Sequence, residues 1–550
     1  MFKNKVLIAS CIFLLTILNI IFPLSAWAND KEKIIILYTN DVHCGVEDNI
    51  GLARLAQYKK DLLKITPYVA LVDSGDYIQG ASLGKLSKGE SIINIMNSVG
   101  YDFAVPGNHE FDYGMERFLE LAPKLNCGYY SSNLLDTATE KNILPSYKIM
   151  KFGKVKIAFI GVTTPESLTS STPAFFQDDK ENYLYTFCED NTGEKLYKNI
   201  QHSVDMAKNE GADYIILVAH LGLNWTTPRY NSESIAKNTK DIDVIIDGHS
   251  HEAIEKYIVE NKEHKKVIIT QTGTKLQNIG EVTIDLDDKS TINSKLVHKL
   301  DVAIDKKVAK TIQAEKIKFE PILKQIIGKS EVDLISTDKM TAEQLVRYQE
   351  TNLGDFVTDA YKNVLDSDVA ICNGGGIRSE IAQGIFTYDD ILTSFPFGNM
   401  CVVLEVSGQQ ILDALELGAS NYPKAFGGFL QVSGISYTID SSIPSSVVLD
   451  EKGNFVKVNG KYRVQDVQIN NSPLDVNKKY TVAGTTYILK LGGNGMTMFN
   501  QKNSKIIQNE TLSETDVIIE YLQNYLNANI GEEYANPKGK GRIKFKQLHK

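Results

Sequence analysis

Over residues 33–300, short apolar runs alternate with more polar stretches. Short apolar runs of this kind predict buried strands, and their alternation with helical or loop stretches predicts an α/β layered domain. Five of the runs end at Asp, Asn or His: KIIILYTN precedes Asp41 and His43, YVALVDSG precedes Asp76, DFAVPG precedes Asn108 and His109, ADYIILVA precedes His220, and DVIIDG precedes His249 and His251.

These polar residues predict a metal site. In open α/β sheets, ligands gather beyond the carboxyl ends of the strands, so we expect the five strands to deliver these side chains to one edge of one sheet. The chain has nine histidines, and five of them fall in these motifs. Imidazole and carboxylate together suit Zn, Mn, Fe or Co. A carboxylate such as Asp76 can bridge two metal ions about 3.5–4 Å apart, and such a pair activates water for in-line attack on phosphorus.

The order of the motifs resembles that of the calcineurin-like metallophosphatase superfamily: D-x-H, G-D, G-N-H-E, a lone His, then G-H-x-H. The resemblance implies a first metal site formed by Asp41, His43, Asp76 and His251. It implies a second formed by Asp76, Asn108, His220 and His249. It also implies that His109, paired with Asp112, stabilises the transition state or leaving group. The two divalent ions are expected to be Zn, Mn or Co.

A different pattern begins after residue 300. The segment DKKVAKTIQAEKIKFEPILKQIIGKS predicts a helix that Pro321 interrupts and that bridges two domains. The segment TAEQLVRYQETNLGDFVTDAYKNVL predicts a long amphipathic helix. The strand-like runs that follow do not alternate strictly with helices, and this indicates an α+β domain.

The second half of the chain also carries a candidate anion site. The run CNGGGIR follows a predicted strand, and its three glycines would let backbone N–H groups approach an anion closely. Arg378 at its end is able to bind a phosphate or carboxylate bidentately. A simple tight turn is the alternative interpretation. Arg347 adds a second cation, while Phe397 and Tyr487 offer faces for stacking a flat ring.

This combination resembles the C-terminal domain of the 5′-nucleotidase family, which includes bacterial UDP-sugar hydrolases. The resemblance implies that the substrate-binding residues include Arg347, Asn373, Gly375, Arg378 and Phe397. The chain departs from the family at two positions. Asn494 replaces the Asp of G-G-D-G, and Ile488 stands where the second stacking aromatic is expected, with Tyr487 one residue away.

The first residues predict export from the cytoplasm. Lys3 and Lys5 precede an apolar run over 6–24, and Ala-Trp-Ala at 26–28 supplies a small-x-small cleavage pattern. This arrangement indicates a secretory signal peptide over 1–28, with an uncleaved membrane anchor as the alternative. The formal net charge of −9 argues against a nucleic-acid partner. The cysteines beyond residue 28 contain no C-x-x-C pair, so a disulfide framework is not expected.

We therefore expect an α/β protein. The resemblances imply a four-layer, metallophosphatase-type β-sandwich with flanking helices over 29–300, a helical linker over 301–335 and an α+β substrate-binding domain of 5′-nucleotidase type over 336–550. The expected activity is phosphate release from nucleoside 5′-monophosphates, with UDP-sugars as further substrates. The expected location is secreted, periplasmic or cell-surface. A 2′,3′-cyclic nucleotide phosphodiesterase/3′-nucleotidase with the same metal core is one alternative, and a non-catalytic surface nucleotide-binding protein is another. Oligomeric state and preferred base are left open.

Overall fold

The structure is a computed structural model that describes residues 33–546, apart from 172, 179, 181, 224–225, 287–290, 500–503 and 509–511. The predicted signal peptide over 1–28 lies outside the described residues. Within the described ranges, no helix combines the length and the apolar character needed to cross a bilayer.

The first part of the chain contains thirteen described strands, β1 to β13, and eight α-helices, α1 to α8. The strands are Lys33–Thr39, Val69–Asp73, Phe103–Ala104, Leu135–Asp136, Tyr147–Phe152, Val155–Thr163, Tyr185–Thr186, Tyr214–His220, Val244–Ile246, Ala253–Glu260, Lys266–Thr272, Ile279–Asp285 and Ile292–Val297. The helices are Leu52–Ile65, Ser82–Ser87, Glu90–Val99, Met115–Leu121, Ser167–Ser170, Glu194–Asn209, Ser232–Asn238 and Lys306–Ile317.

Two sheets of this part pack face to face. The first has the strand order β13-β12-β1-β2-β3 and the second the order β10-β11-β9-β8-β6-β5. Between them, Ile36 and Phe103 of the first sheet share one apolar core with Phe159 and Val218 of the second. Helices α1, α3 and α8 cover the outer face of the first sheet, and α6 and α7 cover that of the second. The arrangement is the expected four-layer sandwich with flanking helices.

The five motif-bearing strands belong to two sheets, so the expectation of one edge of one sheet is wrong. Strands β1, β2 and β3 run parallel in the first sheet, while β8 and β9 run parallel in the second. Each of these strands is buried on both faces, against helices on one side and the opposite sheet on the other. A strand buried on both faces has a continuous apolar sequence whichever of the two sheets it belongs to, so the sequence pattern does not distinguish the sheets. The carboxyl ends of both sets meet at one end of the sandwich.

The predicted linker over 301–335 is only partly helical. Asp305 caps α8 by accepting the backbone N–H groups of Lys307 and Val308. A short helix, α9 (Glu320–Leu323), follows with Pro321 in its first turn, where proline is tolerated. The chain then forms strand β14 (Ile326–Ser330), which pairs with strands of the C-terminal part. The helical linker thus ends before residue 326, because this last segment completes a sheet of the second domain.

The rest of the chain is built on mixed sheets, as an α+β domain requires. Its further strands, β15 to β27, are Val369–Asn373, Gly384–Thr387, Cys401–Ser407, Leu430–Ser433, Ile435–Asp440, Val447–Leu449, Phe455–Val458, Val464–Ile469, Ser472–Pro473, Lys479–Thr485, Lys505–Gln508, Asn529–Ile530 and Ile543–Lys546. Its helices, α10 to α14, are Asn352–Val364, Tyr388–Ser394, Gly408–Ala419, Thr486–Leu489 and Glu514–Asn524. A central sheet of order β18-β15-β24-β17-β25 packs against α10 and α14 on one face and α12 on the other.

The predicted long helix over 341–365 is shorter than expected. Helix α10 begins at Asn352, where the side chain of Thr351 caps it by accepting the N–H of Gly354. Before it, the amide of Gln431 donates to the carbonyls of Val346 and Gln349, at 3.0 and 2.7 Å. With these bonds, the segment before α10 contains only a short 3₁₀ helix, Leu345–Arg347, and no α-helix. Arg347 lies at the edge of a cavity.

Candidate metal centre and substrate cavity

The structure brings the predicted metal ligands together at the carboxyl ends of both sheets. Asp41, His43, Asp76 and His251 form one group of potential ligand atoms within 4.8 Å of one another. In this group, Nε2 of His43 lies 3.0 Å from Nε2 of His251 and 3.8 Å from a carboxylate oxygen of Asp76. Nε2 of His251 is 3.3 Å from a carboxylate oxygen of Asp41.

A second group shares Asp76 with the first. It consists of Asp76, His220 and His249. Nε2 of His220 lies 3.2 Å from Oδ2 of Asp76 and 3.2 Å from Oδ1 of Asn108. Asp76 therefore stands between the two groups, as the resemblance implied for a bridging carboxylate, and Asn108 adjoins the second.

The backbone at this site adopts unusual conformations. Asp41, His43, Asp76, His249 and His251 all have positive φ angles, between 47° and 78°. For residues other than glycine such conformations cost about 1–3 kcal/mol each, and they persist only where the surroundings enforce them. Their concentration in one cluster of side chains is characteristic of a functional site.

The motif glycines are required for packing beside these residues. A Cβ on Gly107 would lie 2.3 Å from Oδ1 of Asp76 and 2.8 Å from Cε1 of His220. A Cβ on Gly75 would lie 2.5 Å from the backbone nitrogen of Gly107, and Gly75 also has a φ of 89°. The glycines of G-D and G-N-H-E thus let two loops approach each other closely enough to align Asp76 with His220.

Glu110, the last residue of G-N-H-E, organises the loop that carries Asp76. Its carboxylate accepts the backbone N–H groups of Asp76, Tyr77 and Gly107 at 2.8, 2.7 and 2.6 Å. Burial and the nearby charge of Asp76 raise the pKa of Glu110 to about 7, although these backbone donors oppose the rise. Glu110 therefore shapes the site through the backbone and does not face the ligand cluster.

The donor set fits divalent cations. Asp41 and Asp76 are almost completely buried, and carboxylates at such positions need a positive partner. Burial raises the pKa of Asp76, but His220, His109 and His43 together hold it well below its ordinary value. Burial, reinforced by Arg378, lowers the pKa of His43 well below its ordinary value, so this imidazole is neutral and able to ligate. Mixed imidazole and carboxylate oxygen donors suit Zn, Mn, Fe or Co.

His109 and Asp112 form the expected pair beside the metal cluster. Nδ1 of His109 is 2.5 Å from Oδ2 of Asp112, and the other oxygen of Asp112 accepts the hydroxyl of Ser171 at 2.9 Å. Burial lowers the pKa of His109, but Asp112 and Asp76 outweigh it and raise the pKa above its ordinary value. This rise favours the protonated form of the ring, and its Nε2 lies near the ligand cluster, 4.0 Å from Oδ2 of Asp76.

Two arginines of the C-terminal part reach the same place. Nη2 of Arg378 lies 3.4 Å from Nε2 of His43, and Arg347 is close enough to Arg378 for the two charges to repel. Burial and then Arg378 lower the pKa of Arg347 to about 9. Among the described residues, Nε of Arg347 is buried without a hydrogen-bond partner. Two adjacent guanidinium groups, one of them with a buried and unsatisfied donor, suit an anion such as phosphate.

The glycine loop uses its backbone N–H groups differently from the expectation that they approach an anion. The N–H groups of Gly374 and Gly375 donate to the carbonyls of Phe429 and Gly427, at 2.7 and 2.8 Å, so neither is free for an anion. A Cβ on Gly374 would lie 2.1 Å from the carbonyl oxygen of Val346. The loop is therefore glycine-rich because it packs against the segment that carries Arg347. Gly375 lines the cavity, but it does so with its N–H already bonded.

The remaining predicted substrate residues line the same cavity, which has a volume of about 1270 Å³. The ring of Phe397 lies 5.6 Å from that of His109, with Arg378 5.8 Å from its centre. Tyr487 lines the wall, and its hydroxyl donates to the carbonyl of Thr169 at 2.9 Å. Ile488 is buried in the core and does not reach the cavity, so Tyr487 is the aromatic that this segment presents.

Asn494 and Asn373 contact each other in the cavity wall. The amide of Asn373 donates to the side-chain oxygen of Asn494 at 3.2 Å. Asn494 has a φ of 53°, a conformation that asparagine tolerates better than most residues. Its own amide group is thereby left to act as a donor toward the cavity.

Some residues that shape the site were not among the predicted ones. Glu166 lines the cavity and contacts His249, with 2.8 Å between Oε2 and Nε2. It follows strand β6, an apolar run that gave no metal-site signal because the carboxylate stands three residues beyond the strand. Lys452, in the hairpin between β20 and β21, pairs with Glu189 of the first domain at 2.7 Å. Only the fold brings Lys452 and the buried Glu189 together.

Comparison with known proteins agrees with both halves of this description. Residues 34–253 match the calcineurin-like phosphoesterase family, and residues 326–501 match the 5′-nucleotidase C-terminal domain. The trifunctional nucleotide phosphoesterase protein YfkN of Bacillus subtilis is 27% identical over 92% of this chain, although the chain spans only 34% of that protein. The snake venom 5′-nucleotidase of Crotalus adamanteus is 28% identical over 76% of this chain and 75% of its own length.

A solved structure shares the whole architecture. The 5′-nucleotidase precursor of Thermus thermophilus superposes with a TM-score of 0.78 at 24% identity, over 93% of this chain and 99% of that one. At this identity the likeness establishes the fold. The two matched domains show that the chain joins a calcineurin-like phosphoesterase domain to a 5′-nucleotidase C-terminal domain, and such domains are those of phosphate-ester hydrolases.

Proposed function

We propose that the chain is an exported dinuclear-metal phosphohydrolase that releases phosphate from nucleoside 5′-monophosphates. In this proposal, residues 29–300 hold the metal ions and residues 336–550 hold the nucleoside. The observation that carries it is the position of Asp76, which belongs to both groups of potential ligands and faces the cavity that the arginines also line. Asp41, His43 and His251 would complete one metal site, and Asn108, His220 and His249 the other.

Two divalent ions bound there would polarise the phosphoryl group and lower the pKa of a water molecule towards about 7. The chain's own groups would complete the reaction. Arg378 and Arg347 would hold the phosphate oxygens and offset their charge. Asp112 keeps the proton of His109 Nδ1 in place, so Nε2 would present its proton to the oxygen of the departing nucleoside.

The far side of the cavity would hold the nucleoside. Phe397 and Tyr487 would offer ring faces to the base, and Asn373 and Asn494 would bond the sugar hydroxyls. The cavity volume of about 1270 Å³ leaves room for a larger leaving group, which supports UDP-sugars as additional substrates.

The proposal is tested by measuring phosphate release from 5′-AMP, 3′-AMP and 2′,3′-cyclic AMP, with UDP-glucose as a further compound. Mn²⁺, Zn²⁺ and Co²⁺ are added separately to metal-free protein. We expect the highest kcat/KM for 5′-AMP with at least one of these metals. A preference for 3′-AMP or 2′,3′-cyclic AMP would contradict the proposal and support the cyclic phosphodiesterase alternative. No turnover of any compound would support a non-catalytic nucleotide-binding role.

A further inference from the structure

Glu166 is a partly buried carboxylate, with a side chain 19% exposed, whose two oxygens have separate, defined partners. Oε2 lies 2.8 Å from Nε2 of His249. Oε1 accepts the backbone N–H of Thr227 at 2.6 Å. Burial raises the pKa of Glu166, but the bonds to His249 and Thr227 outweigh it and lower the pKa below its ordinary value. The side chain is thus a fixed, ionised acceptor.

The histidines of the cluster differ in which ring nitrogen they use for support. Nδ1 of His43 donates to the carbonyl of Gln79 at 3.1 Å, and Nδ1 of His220 donates to the carbonyl of Ser74 at 2.6 Å. In both rings Nε2 is left to face the ligand cluster. In His249 the ring nitrogen with a hydrogen-bond partner outside the cluster is Nε2, and that partner is the carboxylate of Glu166.

We infer that Glu166 is a positioning residue for the second metal site. Its carboxylate fixes His249 in the tautomer that carries hydrogen on Nε2, and this leaves the lone pair of Nδ1 for a cation. The inference rests on the proposed dinuclear site. A carboxylate partner also makes an imidazole a more basic ligand and fixes the orientation of its ring.

The inference implies a selective effect on metal binding. Loss of such an outer partner lowers metal affinity by about 10- to 100-fold. Glu166 contacts only one of the two groups of ligands through His249, so we expect one zinc equivalent to weaken by this factor while the other is unchanged. The metal-free fold should be retained, because Glu166 lies at a cavity wall rather than in the apolar core.

The experiment measures the zinc affinity of full-length Glu166→Ala and Glu166→Gln by competition with a chelator. Glu281→Gln is the matched control, since Glu281 is a buried carboxylate that bonds Tyr58 and Lys295 rather than a histidine. Glu166→Gln keeps one acceptor oxygen for two donors, His249 and Thr227, so it should weaken the same zinc equivalent as Glu166→Ala. The control should bind two equivalents as the wild type does.

A second readout follows the histidine directly. In zinc-loaded protein with ¹⁵N-labelled histidine, the hydrogen on Nε2 of His249 should give an NMR signal that disappears in Glu166→Ala. Unchanged affinity for both zinc ions, or an equal loss from both, would overturn the inference. If the wild type binds only one equivalent, the dinuclear proposal fails, and the NMR signal alone decides the role of Glu166.

Discussion

Nη2 of Arg378 lies 3.4 Å from Nε2 of His43, although the two residues belong to different domains. His43 follows the first strand of the sandwich, whereas Arg378 follows the glycine loop of the C-terminal domain. A cation from one domain therefore faces the ligand cluster of the other. A substrate held by Arg378 would have its phosphate at the metal ions, and both domains would have to be in place for turnover.

Asp76→Asn tests the shared carboxylate. The substitution removes the negative charge that would hold two cations close together, so we expect loss of at least one metal ion and near-complete loss of hydrolysis. Metal content is measured by elemental analysis and folding by circular dichroism. Full metal content together with a rate near that of the wild type would contradict the bridging role of Asp76.

His109→Ala separates chemistry from metal binding. His109 is paired with Asp112 and is not among the predicted ligands, so both metal ions should remain. We expect kcat to fall by about 10²- to 10⁴-fold, the usual contribution of a general acid or base. A parallel fall in metal content would show that His109 is a ligand and that its proposed role is wrong.

Phe397→Ala tests whether the C-terminal domain binds the nucleobase by stacking it on the ring of Phe397. The KM for 5′-AMP should rise by a factor that corresponds to about 1–3 kcal/mol, the usual scale for stacking a base on an aromatic ring. Hydrolysis of p-nitrophenyl phosphate, which has no nucleobase, is the control and should barely change. Equal losses on both substrates would mean that Phe397 is structural, and no loss on either would place the base elsewhere.

Gly107→Ala tests the close approach of the two metal-site loops. The added methyl group would lie 2.3 Å from Oδ1 of Asp76, so the loop must shift. Overpacking of this kind costs about 1–3 kcal/mol, and we expect a lower melting temperature together with weaker metal binding.

Gly100→Ala is the control for that experiment. A Cβ at Gly100 meets nothing within 4 Å, and only its φ of 83° disfavours a side chain. The Gly100→Ala variant should lose about 1–2 kcal/mol of its free energy of unfolding and keep both metal ions. If Gly107→Ala binds metal as tightly as Gly100→Ala does, the steric account of the motif glycine is wrong.

The ligand cluster could be predicted from sequence because the side chains of Asp41, Asp76 and His220 stand at strand ends. The carboxyl ends of parallel strands meet by geometry alone. The division of these strands between two sheets could not be predicted. A strand buried on both faces, such as β1 or β8, has the same apolar run whether its second face meets a helix or another sheet.

The cavity wall was harder to predict, because side chains distant in sequence determine the backbone conformation there. Gln431 bonds the carbonyl of Val346, and Arg347 lies in a short 3₁₀ helix rather than in the predicted α-helix, which no pattern near Arg347 reveals. Likewise, the carbonyls of Phe429 and Gly427 accept the N–H groups of Gly374 and Gly375 in the glycine loop. Local patterns therefore pointed to two arginines that line the cavity and misjudged how the backbone around them is used.

The central claim is tested most directly by adding Zn²⁺ or Mn²⁺ stepwise to metal-free protein and measuring phosphate release from 5′-AMP at each step. The account predicts little activity at one equivalent and a steep rise as the second binds, with no rise in Asp76→Asn. Full activity at one equivalent, or activity in metal-free protein, would contradict it.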